Sequence, residues 1–148
     1  MSNYNYIKEL AYEANMELPK LGLVTLTFGN VSVVDRDLAV FAIKPSGIPY
    51  EKLDPGKMVV VDFDGKVLEG DLRPSSDTKT HAVLYSEWKN LQSVAHTHSI
   101  YATAWAQANR NIPIYGTTHA DYHCGEIPCS PPMEDHLIKG NYEHQTGW

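Results

Sequence analysis

The dipeptide Asp64-Gly65, set between the β-prone runs Met58 to Phe63 and Lys66 to Leu68, constrains the fold of this chain more than any other feature. An Asp-Gly pair favours the type I′ turn, whose two central residues both take positive φ, and that turn closes a tight antiparallel hairpin. Three further runs have strand character, Leu23 to Phe28, Val31 to Val34 and Leu38 to Lys44, separated by Gly29-Asn30 and by the charged turn Asp35-Arg36-Asp37. Neighbouring antiparallel strands are expected. Ile7, Leu10, Ala11, Ala14 and Leu18 recur at three- and four-residue steps, which predicts a helix from about Tyr6 to Leu18, capped by Asn3 or Asn5 and stopped by Pro19 and Gly22. A second helix begins after Ser75-Ser76-Asp77, three N-cap types in a row, and runs through Ala82, Val83, Tyr85 and Trp88. A strand through Val94 to His98 follows, and then an alanine-rich helix from Ile100 to Ala108 that ends near Asn109. Trp88 and Trp105 fall at helical positions expected in the core. The stretch Tyr115 to Pro132 is polar, rich in Gly and Pro, and reads as a long loop of the kind that carries function, and Met133 to Glu143 can start a final helix.

With 148 residues, 43% of them hydrophobic, the chain has the material for one α/β domain over 1–148 with a real core and too little for two. A formal charge of −6 and the scatter of twelve Lys and Arg residues leave no basic stripe to neutralise phosphates, which excludes nucleic acid as an expected partner. Cys124 and Cys129 are too few for a secreted disulfide framework, the N-terminus lacks the regions of a signal peptide, and no apolar run approaches the roughly 20 residues of a membrane span. A cytoplasmic protein that does not engage membranes is expected.

Chemistry enters with His96 and His98 in Ser93-Val94-Ala95-His96-Thr97-His98-Ser99. Strand side chains alternate faces, so both imidazoles project the same way and make half of a site for zinc or a similar divalent ion. A histidine facing a core edge is the competing reading. Lys44-Pro45-Ser46-Gly47 offers a basic residue, a hydroxyl and a glycine, which is either an anion nest or an ordinary turn. Ser75-Ser76 at a helix start either caps the helix or meets a phosphate there, and together with Asn30 these segments suit a phosphate monoester. Asp77 is either the helix cap or a carboxylate aimed at a metal. Asp121, among the polar residues of Gly116-Thr117-Thr118-His119-Ala120-Asp121-Tyr122, is either a general acid/base or a solvated loop residue. His119, His123, Cys124 and Cys129 match no zinc-finger spacing.

Taken in order, Thr25-Leu26-Thr27-Phe28-Gly29-Asn30-Val31-Ser32, Ile43-Lys44-Pro45-Ser46-Gly47, Pro74-Ser75-Ser76-Asp77-Thr78, His96-Thr97-His98-Ser99 and the Gly116 to Tyr122 segment resemble the class II aldolase and adducin-head family. Within it the likeness is greatest to the pentulose-phosphate epimerases. The resemblance implies a three-layer α/β fold, with a largely antiparallel central β-sheet covered by helices, assembled as a homotetramer with active sites at subunit interfaces. It implies interconversion of L-ribulose 5-phosphate and D-xylulose 5-phosphate, by retro-aldol cleavage to the enediolate of dihydroxyacetone and glycolaldehyde phosphate followed by re-closure. It further implies Asp77, His96 and His98 at a Zn2+ ion, with Mn2+ as the other candidate. Gly29, Asn30, Lys44, Ser46, Gly47, Ser75, Ser76, Thr117 and Glu143 would contact the substrate, and Asp121 would act as a proton donor and acceptor. Relatives that cleave fuculose 1-phosphate carry glutamate where this chain has Asp77, and the shorter carboxylate favours the epimerase over its two alternatives, a class II sugar-phosphate aldolase and a noncatalytic adducin-like binding module. Family members continue well beyond Trp148. The resemblance therefore implies a chain without its C-terminal part, lacking a third histidine ligand and an acid/base tyrosine, with impaired activity.

Overall fold

The structure, a computed structural model, describes residues 3–132. Its strands are β1 (Asn30–Asp35), β2 (Val40–Ile43), β3 (Val59–Asp62), β4 (Val67–Glu69) and β5 (Ser93–His96), and its helices α1 (Asn5–Lys20), α2 (Thr78–Glu87), α3 (Ile100–Gln107) and α4 (Thr117–Tyr122). The five strands form one sheet, antiparallel throughout, in the order β4-β3-β2-β1-β5. Alternation along the central strands builds three layers. Val40, Ala42 and Val60 meet Ile7 and Ala11 of α1 on one face. Phe41, Ile43, Val59 and Val61 meet Ala82 and Tyr85 of α2 on the other. Because both faces are covered, β2 and β3 are continuous apolar runs with no polar side to alternate with.

Several buried polar side chains are paired in this core, and they fix β1 in place. The Asn15 amide on α1 donates to the carbonyls of Ala11 and Val31 at 2.7 Å each, and its Oδ1 accepts from the Val31 N–H at 2.8 Å. A helix side chain thus serves both backbone groups of Val31 as a strand residue would. From the opposite layer, Ser32 Oγ lies 2.7 Å from His81 Nδ1 and 2.7 Å from the Tyr85 hydroxyl, which donates to the Ser32 carbonyl at 2.9 Å. Arg36 closes the end of α2 by donating to the carbonyls of Tyr85, Trp88 and Leu91 while its guanidinium lies over the rings of Phe63 and Tyr85. A cation at a helix C-terminus also opposes the helix dipole favourably.

Several expectations are corrected. The first helix has Tyr4 at its N-cap with no side-chain cap, and runs through Pro19 to Lys20 because a proline in the last turn removes a single intrahelical donor. Leu23 to Phe28 forms turns instead of a strand, with Leu26 at φ +57°. The β3–β4 hairpin forms as expected, but Asp64 does not take positive φ, so its turn is not type I′. Gly65, at φ +81°, donates to the Asp62 carbonyl at 3.0 Å, giving a three-residue loop whose glycine takes the left-handed position. Asp62 Oδ1 holds that loop by accepting from the N–H groups of Asp64 and Lys66. The expected loop beyond Tyr115 contains the short α4. Neither tryptophan is in the core: Trp88 is 61% exposed at the end of α2, and α3, which carries Trp105, has no buried residue. The helix expected over Met133 to Glu143 lies outside the described residues. Among the described residues no helix is long and apolar enough to cross a membrane.

Two measurements check this account. Asn15→Ala leaves both backbone groups of Val31 buried without partners, at about 1–3 kcal/mol per group, so urea denaturation should show a loss of about 3 kcal/mol. Burial pushes the His81 imidazole from 6.5 down to about 4. The unfolded chain therefore takes up a proton at a higher pH than the folded one, and stability should fall as pH drops from 6.5 towards 4, by up to about 3 kcal/mol in all. Unfolding free energies across that window test it, and His81→Gln should flatten the slope.

Candidate active site

The pairing of β1 with β5 sets Asn30 directly opposite His96. Gly29, just before β1, allows the close approach. It has φ +75°, and a Cβ there would fall 2.5 Å from Val24 Cγ1 and 2.9 Å from the His96 carbonyl oxygen, so no other residue fits without displacing β5. Asp77 occupies the N-cap position of α2 but does not cap it. Its Oδ2 accepts hydrogen bonds from the Asn30 amide and from Ser75 Oγ, and lies 2.6 Å from His96 Nδ1. The Asn30 amide also donates to Ser75 Oγ at 3.1 Å. The His98 ring follows just past the end of β5, its centroid 4.8 Å from that of His96 and 5.2 Å from that of Phe28, on which it stacks.

Charge is distributed accordingly. The hydrogen bond to Asp77 raises the His96 imidazole above its ordinary value, against the opposing effect of burial. Burial pushes the Asp77 carboxyl up, but the hydrogen bond and charge of His96, with the Asn30 amide, outweigh it and leave the group below the usual carboxylate range. Each partner of the dyad thus favours the ionised form of the other.

These groups line a cavity of about 500 Å³ together with Thr27, Phe28 and Gly29, the segment Lys44 to Gly47 and the pair Ser75-Ser76. The last two segments lie side by side. Pro45 bridges Pro74, the Ser46 N–H donates to the Arg73 carbonyl at 2.9 Å, and the Ser75 N–H to the Lys44 carbonyl at 3.1 Å. Those two N–H groups are therefore spent between the segments, whose serines and Lys44 also line the cavity. The Lys44 ammonium, on a residue 1% exposed, donates to the Thr27 carbonyl at 3.1 Å and lies 4.8 Å over the Tyr50 ring. Burial lowers its pKa. Asn30 Oδ1 is buried and meets no donor among the described residues, an acceptor that a ligand O–H would satisfy.

Of the residues singled out from sequence, Gly29, Asn30, Lys44, Ser46, Gly47, Ser75, Ser76, Asp77, His96 and His98 converge on this cavity. Thr117 and Asp121 do not; both are exposed on α4 and line none of it. Glu143 lies outside the described residues. Sequence reasoning missed Phe28 and Tyr50. Phe28 lay in a run read as a strand, and nothing local marks the contact between the Tyr50 hydroxyl and the backbone of residues 28 and 29.

The donor chemistry fits a zinc-like divalent ion through two imidazoles. With Nδ1 of His96 engaged by Asp77, Nε2 is the remaining donor of that ring, and a carboxylate behind a ligating imidazole is the usual way its tautomer is fixed. In this geometry Asp77 backs His96 instead of standing as a third donor. Accordingly, among the described residues no three His, Cys, Asp or Glu side chains are arranged to hold an ion.

A sheet between helix layers, with a histidine–carboxylate dyad at one strand end in a cavity that serines also line, defines a class. The class II aldolase and adducin N-terminal domain model matches residues 9–145, and the chain belongs to that family. The L-ribulose-5-phosphate 4-epimerase UlaF of Salmonella paratyphi C is 54% identical over 141 residues, 95% of this chain and 62% of that protein, and that of Salmonella choleraesuis matches equally. The chain thus spans 62% of the length of these curated relatives. Among solved structures, an L-fuculose 1-phosphate aldolase superimposes with a TM-score of 0.80 at 26% identity, covering 98% of this chain and 69% of the other. The L-fuculose-1-phosphate aldolase of Thermus thermophilus shares the fold, with a TM-score of 0.67 at 23% identity over 83% of this chain and 60% of that one.

Asp77→Asn should lower the His96 pKa back towards its ordinary value, because its raising rests first on the hydrogen bond that the imidazole donates to that carboxylate. Titration of the ring resonances of the metal-free protein measures the shift, and an unchanged His96 titration would refute the dyad.

Proposed function

We propose that this chain is the head of a metal-dependent L-ribulose-5-phosphate 4-epimerase, which cleaves and re-forms one carbon–carbon bond to give D-xylulose 5-phosphate. The observation that supports the reading is the convergence of the Asp77–His96 pair, His98, Asn30, Ser46, Ser75, Ser76 and a buried lysine on a single cavity. In that arrangement Ser46, Ser76 and Lys44 bind the phosphate end, and Asn30 Oδ1 accepts a hydrogen bond from a substrate hydroxyl near His96. A Zn2+ or Mn2+ ion held by His96 and His98 would supply Lewis acidity where negative charge develops during cleavage. Holding the phosphate keeps the released aldehyde fragment beside its partner until the bond re-forms, which is what separates epimerisation from net cleavage. Asp121 serves proton transfer at a reacting hydroxyl, and its exposure on α4, outside the lining of this chain's cavity, suits delivery into the cavity of a neighbouring copy of a homotetramer. A second reading, an aldolase that releases both fragments, draws support from the likeness to L-fuculose 1-phosphate aldolase.

Zinc-loaded protein should convert L-ribulose 5-phosphate to D-xylulose 5-phosphate in a coupled assay, with His96→Asn and chelation each lowering turnover at least about 100-fold, the upper range for losing a metal site's support. Equal turnover by chelator-treated protein would refute metal dependence. Free dihydroxyacetone as the main product would select the aldolase.

A further inference from the structure

The two candidate ligands are supported very differently. His96 has a carboxylate behind it, whereas the His98 ring makes no hydrogen bond among the described residues and is held only between two rings, those of His96 and Phe28. Phe28 is 51% exposed and belongs to none of the core clusters, so packing in the core does not account for its placement. Its ring stacks on His98 at a centroid distance of 5.2 Å with the planes 19° apart. The backbone that presents it is tied down on both sides. The Phe28 N–H donates to the Thr25 carbonyl at 3.1 Å, while the Tyr50 hydroxyl donates to the carbonyls of Phe28 at 3.1 Å and Gly29 at 3.0 Å. Tyr50 itself is 4% exposed, and the Lys44 ammonium above its ring holds the preceding Thr27 carbonyl. Three successive carbonyls are therefore fixed from one place.

We propose that Phe28 and Tyr50 are positioning residues for His98: Tyr50 sets the 27–29 backbone, and the Phe28 ring then fixes the plane of the second imidazole, doing for it by stacking what Asp77 does for His96 by hydrogen bonding. The inference rests on the metal reading proposed above. Ligand orientation by outer groups is worth about 10–100-fold in metal affinity.

Co2+ is the probe, because its visible d–d bands report both affinity and ligand geometry. Metal-depleted wild-type protein is titrated beside Phe28→Leu, Phe28→Tyr, Tyr50→Phe and His98→Asn, with the thermal midpoint of each metal-free protein as a check on folding. Phe28→Leu and Tyr50→Phe should bind Co2+ about tenfold more weakly with altered bands, and Phe28→Tyr, which restores an aromatic ring, should recover wild-type affinity and spectrum. Phe28→Leu is a change on a half-exposed side chain and decides the matter alone should Tyr50→Phe fail to fold. Wild-type binding by Phe28→Leu, or a Phe28→Tyr variant as weak as the leucine, would overturn the stacking role while leaving the metal reading intact. Wild-type protein with no bands that depend on His98 would overturn the metal reading, and this inference with it.

Discussion

Strand β1 is held from every side, and the site exists because it is. β2 and β5 flank it, the Asn15 side chain takes both backbone groups of Val31, and Ser32 is bound by His81 and Tyr85 from the layer opposite. Its first residue, Asn30, then has a single place to go, against Asp77 and Ser75 and across from His96. A slip of one residue would reverse every side chain of the strand. It would move Asn30 out of the cavity and Ser32 away from its partners in the same step, so the register that builds the core also assembles the chemistry.

The two ends of the cavity differ in how they hold charge. At one end a carboxylate and an imidazole meet directly, each making the other's ionised form more favourable. At the other, Lys44 has a carbonyl and an aromatic face for neighbours, burial lowers its pKa, and it makes no ion pair among the described residues. An anion entering that end would supply the missing partner. Under the proposed function, a ligand with a negative terminus and a chain of hydroxyls would be oriented before any bond changes, since electrostatic complementarity confers register as well as attraction.

Much of this was legible in the sequence, and the failures share a cause. The hairpin at Asp64-Gly65, the antiparallel neighbours and the three helices follow from local pattern, and the segments that line the cavity could be named from their motifs. What pattern cannot see is competition from far along the chain. Asp77 has every local reason to cap α2, yet its carboxylate goes to Asn30 and His96, 47 and 19 residues away. Leu23 to Phe28 has strand composition, but the carbonyls at its end are taken by distant side chains, Thr27 by Lys44 and Phe28 by Tyr50. Asn15 looks like an ordinary helix residue until Val31 lies beside it. For Asp64-Gly65 the miss was shorter in range: the Asp62 side chain bridges Asp64 and Lys66, enlarging the loop by one residue and removing the need for positive φ at Asp64.

Among the described residues the last buried one is Tyr85, and no residue of α3 or α4 is buried. Local opening there breaks few apolar contacts and costs much less than global unfolding. The sheet and the two helices that cover it accordingly set the folding free energy, while α3 and α4, with Asp121 among them, add little to it. A substitution on α3 or α4 that alters activity is thus read as a change of contact and not of folding.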